Sequence, residues 1–147
     1  MFDGAEKDSL PEDESGRLYN SLELAYLGDA VYDLHVRRRL LKTGGRLSHL
    51  HREAVSKVRA SAQSLAFERV EPMLTDEELD IARRARNAKQ IPPHNASHAE
   101  YHRATALEAL LGYLYLSGRS ERLEEIVNMA LGERISHRDH RDHREKN

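Results

Sequence analysis

The chain predicts an all-α domain, and three observations carry that prediction. Apolar residues recur at spacings of three and four along successive stretches. Side chains able to cap a helix stand at the starts of most of them, and no run alternates apolar and polar residues long enough for a strand. No internal repeat rises above background, so a solenoid is excluded as well.

Asn20 followed by Glu23 has the form of a capping box, and Leu24, Leu27, Val31 and Leu34 follow until Thr43-Gly44-Gly45 stops the first helix. Ser48 is placed to cap a second helix, whose stripe of Leu50, Ala54, Val58, Ala62 and Leu65 runs on to just before Pro72. Thr75 and Glu78 make another capping box, and Asp76-Glu77-Glu78 set acids against the positive end of the third helix. That helix turns basic at Arg83-Arg84-Ala85-Arg86-Asn87-Ala88-Lys89 and cannot continue through Ile91-Pro92-Pro93. Ser97 and Glu100 open a fourth helix carrying Ala104, Leu107, Leu111 and Leu114, with Gly118 as its stop. A last amphipathic helix occupies 121–131.

At 147 residues, one-third of them charged, the chain suits a single domain large enough to bury a core. Residues 1–17 are acidic and poor in large apolar groups, which predicts a flexible lead-in. The folded domain is expected over 18–132, and the His/Arg/Asp-rich 133–147 as a disordered tail. No apolar run approaches the roughly 20 residues of a membrane span, and the start lacks the basic and apolar regions of a signal peptide. A cytoplasmic protein with no membrane partner is the expectation. Without cysteine there is no disulfide, no thiolate chemistry and no Cys-rich zinc site, so any metal must be held by oxygen or imidazole.

Two segments place a carboxylate inside an apolar helical stripe: Leu27-Gly28-Asp29-Ala30-Val31 and Glu108-Ala109-Leu110-Leu111-Gly112. An ionised acid buried without a partner costs several kcal/mol or shifts its pKa, so two such acids point to a shared hard divalent cation. Asp33, one turn beyond Asp29, is read instead as an acid paired with Arg37.

Leu24-Ala25-Tyr26-Leu27-Gly28-Asp29-Ala30-Val31 resembles the signature helix of the ribonuclease III family, and Glu108-Ala109-Leu110-Leu111-Gly112 resembles that family's second acidic motif, in the same order. Members of the larger family carry a Glu four residues before the signature Asp and an Asp three residues before the second Glu. Here those positions are Ala25 and Thr105. These replacements resemble the bacterial Mini-III subfamily, a catalytic domain without a double-stranded-RNA-binding module, and none is expected here.

The resemblance covers roughly 20–131. It implies a Mg²⁺-dependent endoribonuclease acting on double-stranded RNA as a homodimer, leaving 5′-phosphate and 3′-hydroxyl ends. A structured large-subunit ribosomal RNA precursor would be the substrate, with a ribosomal protein to shape it. Asp29 and Glu108 would be the catalytic acids and metal ligands. Mg²⁺ tolerates so few carboxylates because it keeps several waters and takes phosphate oxygens. Thr105, on the same helical face as Glu108, is placed to bond a metal-bound water.

The basic run has two explanations. Cations near a helix C-terminus favourably meet the dipole, whereas Arg83, Arg86, Asn87 and Lys89, with His94 and Asn95, are also placed to reach an RNA backbone. Arg103 ranks below them as a phosphate contact. In the first helix Tyr26, Leu27, Ala30, Val31 and Leu34 cover more than one narrow stripe, which suits either a fully buried helix or one facing both the core and a second subunit. The tail His137-Arg138-Asp139-His140-Arg141-Asp142-His143-Arg144 reads as a polyampholyte rather than a metal cage. Two other functions stay open: a catalytically inactive RNA-binding module, suggested by Ala25 and Thr105, and a helical interaction domain whose acids merely pair with arginines.

Overall fold

The computed structural model describes residues 10–132. The first half of the expected acidic lead-in and the His-rich tail lie outside the described residues. Within them are six α-helices: α1 (Ser21–Thr43), α2 (Leu47–Val58), α3 (Ala60–Val70), α4 (Asp76–Arg86), α5 (His98–Leu116) and α6 (Ser120–Ala130). The only extended pairing among the described residues is an isolated bridge between Glu12 and Leu18. None of these helices is long and apolar enough to cross a membrane.

The capping residues act as the sequence pattern requires. Asn20 and Glu23 exchange bonds of 2.8 and 2.9 Å at the start of α1, and Thr75 and Glu78 do so at 3.2 and 2.9 Å at the start of α4. Ser97 Oγ accepts from the Glu100 amide at 3.4 Å. Gly44, at φ 74°, ends α1 in a conformation that a residue with Cβ rarely adopts.

Helix α5 is the axis of the domain: from Ala104 to Leu114 only Glu108 escapes full burial. Helices α1, α3 and α4 pack around it, α6 closes one end, and α2 lies against α1. The closest approach is between α1 and α5, where Gly28 and Gly112 face each other's backbones. A Cβ on Gly28 would overlap the Glu108 carbonyl oxygen and stand 3.0 Å from the Gly112 nitrogen. A Cβ on Gly112 would strike the Leu24 carbonyl and come within 3.2 Å of the Gly28 nitrogen. The glycines of both acidic motifs are therefore packing residues, and their contact sets Asp29 beside Glu108.

Two expectations need correction. The second predicted helix is two helices, broken at Arg59 (φ −69°, ψ 159°), with neither Gly nor Pro at the break. The break resets the phase, so Ala66, Phe67 and Val70 enter the core while Leu65 is exposed. Its first part begins at Leu47 after Arg46, with no side-chain cap, rather than at Ser48. Residues 10–17 of the expected loose segment form a turn, because the Asp13 carboxylate accepts the Ser15 and Arg17 amides at 2.8 and 2.9 Å and the Ser15 hydroxyl at 2.7 Å. Those bonds hold Asp13 down to about 2, the Ser15 hydroxyl and the Arg17 amide contributing most.

Long polar side chains bind the periphery. Arg39 reaches Glu124 at 2.7 Å and Asn128 at 2.6 Å, tying α1 to α6. Arg122 of α6 grips buried Glu78 of α4 through two bonds of 2.8 Å, with a third to the Met73 carbonyl at 2.9 Å. Burial, the largest single influence, would raise the Glu78 carboxyl, but the bonds and charge of Arg122 and the Thr75 bonds together outweigh it and hold the group below its ordinary value.

Alanine is the better helix former by about 1 kcal/mol, so a gain in stability would be expected from Gly28→Ala if the helices were free. The backbone contact reverses that sign: overpacking here should destabilise by about 3 kcal/mol or more. Chemical denaturation of Gly28→Ala and Gly112→Ala checks it, and an unchanged midpoint in either would contradict the close crossing.

Candidate active site

The α1–α5 crossing opens onto a cleft of about 360 Å³ lined by Ala25 and Asp29 from α1, Val58 and Ala60 at the α2–α3 break, Gln63 from α3, and Thr105 and Glu108 from α5. Asp29 is exposed at its mouth and Glu108 half-buried beneath. Burial chiefly, then the like charge of Asp29 and a hydrogen bond between the two carboxyl groups, push Glu108 up to about 8. A single donation opposes them, from Gln63 Nε2 to Glu108 Oε2 at 3.3 Å.

Two acids crowded this way are a fitting donor set for a hard divalent cation, which would relieve their repulsion. No third His, Cys, Asp or Glu joins them among the described residues, so water and a substrate phosphate would complete the coordination. Ala25 and Thr105, the positions where the larger family's pattern has two further acids, both line the cleft and bring it no charge.

Thr105 is placed in the cleft wall, but its hydroxyl is already engaged. It donates to the Tyr101 carbonyl at 3.0 Å and accepts from Gln90 Nε2 at 2.9 Å. Its proton is thus committed to the helix backbone, and its visible contact is a clasp between α5 and the segment after α4. Arg103 turns away from the acids to Ser64 Oγ at 2.7 Å, with Glu68 at 3.8 Å. Asp33 pairs with Arg37 at 3.1 Å.

The basic run is only partly brought to the site. From the cleft a groove continues over Leu22 and Tyr26 to Ala88 and Lys89, and a neighbouring one includes Asn87, Lys89 and Gln90. Lys89 and Asn87 are exposed there. Arg83 is exposed on α4 and lines none of these grooves, and half-buried Arg86 leans towards Glu71 at 3.7 Å. His94 and Asn95 are exposed in the turn before α5.

Gln63, Gln90 and Tyr101 are polar cleft residues that sequence reasoning missed. For Gln63 one signal was available: an amide side chain inside an apolar helical stretch, the same oddity that singled out the two acids.

An all-α fold with an acidic pair at its central helix crossing is that of a ribonuclease III-type nuclease. The profile of the ribonuclease III domain matches residues 22–119. The chain is 50% identical over 111 residues to a Mini-ribonuclease 3 of Symbiobacterium thermophilum, spanning 74% of this chain and 85% of that one. It is 44% identical over 127 residues to that of Brevibacillus brevis, spanning 85% and 93%. A crystal structure of a Fusobacterium nucleatum protein superposes with a TM-score of 0.71 at 37% identity, over 78% of this chain and 93% of that one. The chain belongs to the ribonuclease III family, within its Mini-ribonuclease 3 group, and is an endoribonuclease.

The acid pair gives a pH signature. Folded, Glu108 titrates at about 8 against an ordinary value of 4.5. Between those values the folded chain holds a proton that the unfolded chain has released, so stability of the metal-free protein falls as pH rises through that window. Melting at about pH 5.5 and about pH 8.5 should show this loss in the wild type and a smaller one in Glu108→Gln. Equal losses would mean that the two carboxyl groups do not crowd.

Proposed function

We propose that this endoribonuclease cleaves double-stranded RNA with Mg²⁺, as a cytoplasmic homodimer, in the maturation of a large-subunit ribosomal RNA precursor. The observation that carries the reading is the meeting of Asp29 and Glu108 in one cleft, with a lysine on the groove that leads from it. Asp29 and Glu108 would hold the ion. When bound, Mg²⁺ supplies a Lewis acid and a water acidic enough to attack a phosphodiester.

The rest falls to the chain. Glu108 gives up its proton to enter the charged form, which the cation favours. Asp29, at the mouth, faces the incoming phosphate. Lys89 and Asn87 are placed to grip the backbone flanking the cut, and the Gln90–Thr105 clasp holds that segment against the catalytic helix. Opening one strand this way leaves a 5′-phosphate and a 3′-hydroxyl.

Dimerisation is supported by the outer face of α1. Leu34 is 65% exposed and Leu41 66%, apolar residues on a helix whose opposite side already meets α5. A second copy covering them would give two clefts for the two strands of a duplex. A ribosomal protein that shapes the precursor fits a domain whose basic contacts are this few.

Incubation with a long, end-labelled duplex and Mg²⁺ should give cutting that EDTA abolishes. Asp29→Asn, folded and still dimeric, should lose at least about 100-fold, beyond the 10–100-fold typical of groups outside the ligand shell. Duplex binding without cutting would support the inactive-module alternative. With that variant used for binding, Lys89→Ala should reduce the slope of log affinity against log salt by about 1, as for one lost phosphate contact. An unchanged slope would remove Lys89 from the interface.

A further inference from the structure

We propose that Gln63 is a positioning residue for the acidic pair, holding the Glu108 carboxylate at the cation position through its side-chain amide. The inference rests on the function proposed above and adds a residue to it.

Gln63 lies in the first turn of α3, in the cleft wall, and is 2% exposed. Its Nε2 makes two donations, to the Val58 carbonyl at 2.7 Å and to Glu108 Oε2 at 3.3 Å. Val58 is the last residue of α2, so its carbonyl lacks a helical partner, and the amide takes it at the break. The other end of the same amide, Oε1, is buried and meets no donor.

That asymmetry separates function from packing. A buried acceptor left unpaired costs stability; methionine, of similar shape without the amide, would remove that acceptor while giving up the bond to the Val58 carbonyl. The amide's orientation is set by its two acceptors, one of them a catalytic acid. Among the described residues it is the only amide or cationic side chain bonded to Glu108, since Arg103, the nearest candidate by sequence, is turned to Ser64.

Gln63 therefore ties Glu108 to the rigid α2–α3 corner. It limits the rotamers of a flexible side chain that must meet the cation in one geometry. Without it Glu108 is held only by packing and by Asp29, whose charge repels it.

The test compares full-length wild type, Gln63→Met and Gln63→Glu. Fold is followed by circular dichroism and melting. Mn²⁺ binding to the RNA-free protein is followed by the loss of the free-ion electron paramagnetic resonance signal, and duplex cleavage is titrated with Mg²⁺. Gln63→Met is expected to fold, to bind Mn²⁺ about tenfold more weakly, and to need about tenfold more Mg²⁺ for half-maximal cutting, the effect of one hydrogen bond to a charged group. Its rate at saturating Mg²⁺ should change less than its Mg²⁺ requirement. Gln63→Glu, which has no proton to donate once ionised, should not restore Mn²⁺ binding.

Mn²⁺ binding and Mg²⁺ requirement unchanged in Gln63→Met overturn the proposal and leave Gln63 a core residue. Tighter Mn²⁺ binding by Gln63→Glu than by wild type overturns it too, since the position would then suit a ligand and not a donor. If Gln63→Met does not fold, Gln63→Glu decides, and failure of both to fold makes the role structural and overturns the proposal. A wild type that neither binds Mn²⁺ nor cuts duplex overturns the functional reading beneath it, whereas an active wild type beside an indifferent Gln63→Met overturns this inference alone.

Discussion

The backbone contact of α1 with α5 at Gly28 and Gly112 is the constraint on which the site depends. Any side chain at either position would push the helices apart, and Asp29 and Glu108 are the neighbours of that contact: one follows Gly28, and the other contributes the carbonyl against which Gly28 packs. The fold therefore brings two like charges together by using the closeness that only glycine permits. The same crossing buries the apolar faces of both helices, so the energy of the core holds the acids in opposition.

The chain contains a second buried glutamate, and the comparison is informative. Glu78 is met by a two-pronged arginine, by a capping amide and by a helix N-terminus, and its carboxyl is held below its ordinary value despite burial. Glu108 has no arginine, a competing acid and one weak amide donation, and its carboxyl is pushed up. Both lie on the same scaffold, so the difference is one of use. Glu78 is satisfied from within and serves stability. On the proposed reading Glu108 is left for something from outside, a divalent cation being the species whose charge and oxygen preference answer that deficit. Gln63 restrains the carboxylate without neutralising it.

Most of the fold was legible because its signals are local. Asn20–Glu23 and Thr75–Glu78 mark helix starts through bonds within a single turn, and Gly44, Gly118 and Gly132 mark the ends of α1, α5 and α6. The break at Arg59 was not legible, since no Gly or Pro announces it and the Gln63–Val58 bond that supports it is seen only once the helices are packed. At the site, Asp29 and Glu108 stood out as charges in apolar stripes. Gln63 is neutral and was passed over, though the same reasoning about buried polar groups applies to it. Thr105 was read onto the face of Glu108, and its partner Gln90 comes from a segment whose path no periodicity predicts. The basic run showed its charge and hid its geometry: composition grouped Arg83 with Lys89, while the turn of α4 separates them.

The central claim is that one divalent cation belongs between Asp29 and Glu108. Crystals of the protein grown with Mn²⁺ and measured for anomalous scattering test it directly. The account predicts a peak touching both carboxylates, with the remaining ligands water, and its disappearance in Glu108→Gln. A peak held by other residues, or one that persists in that variant, would contradict it.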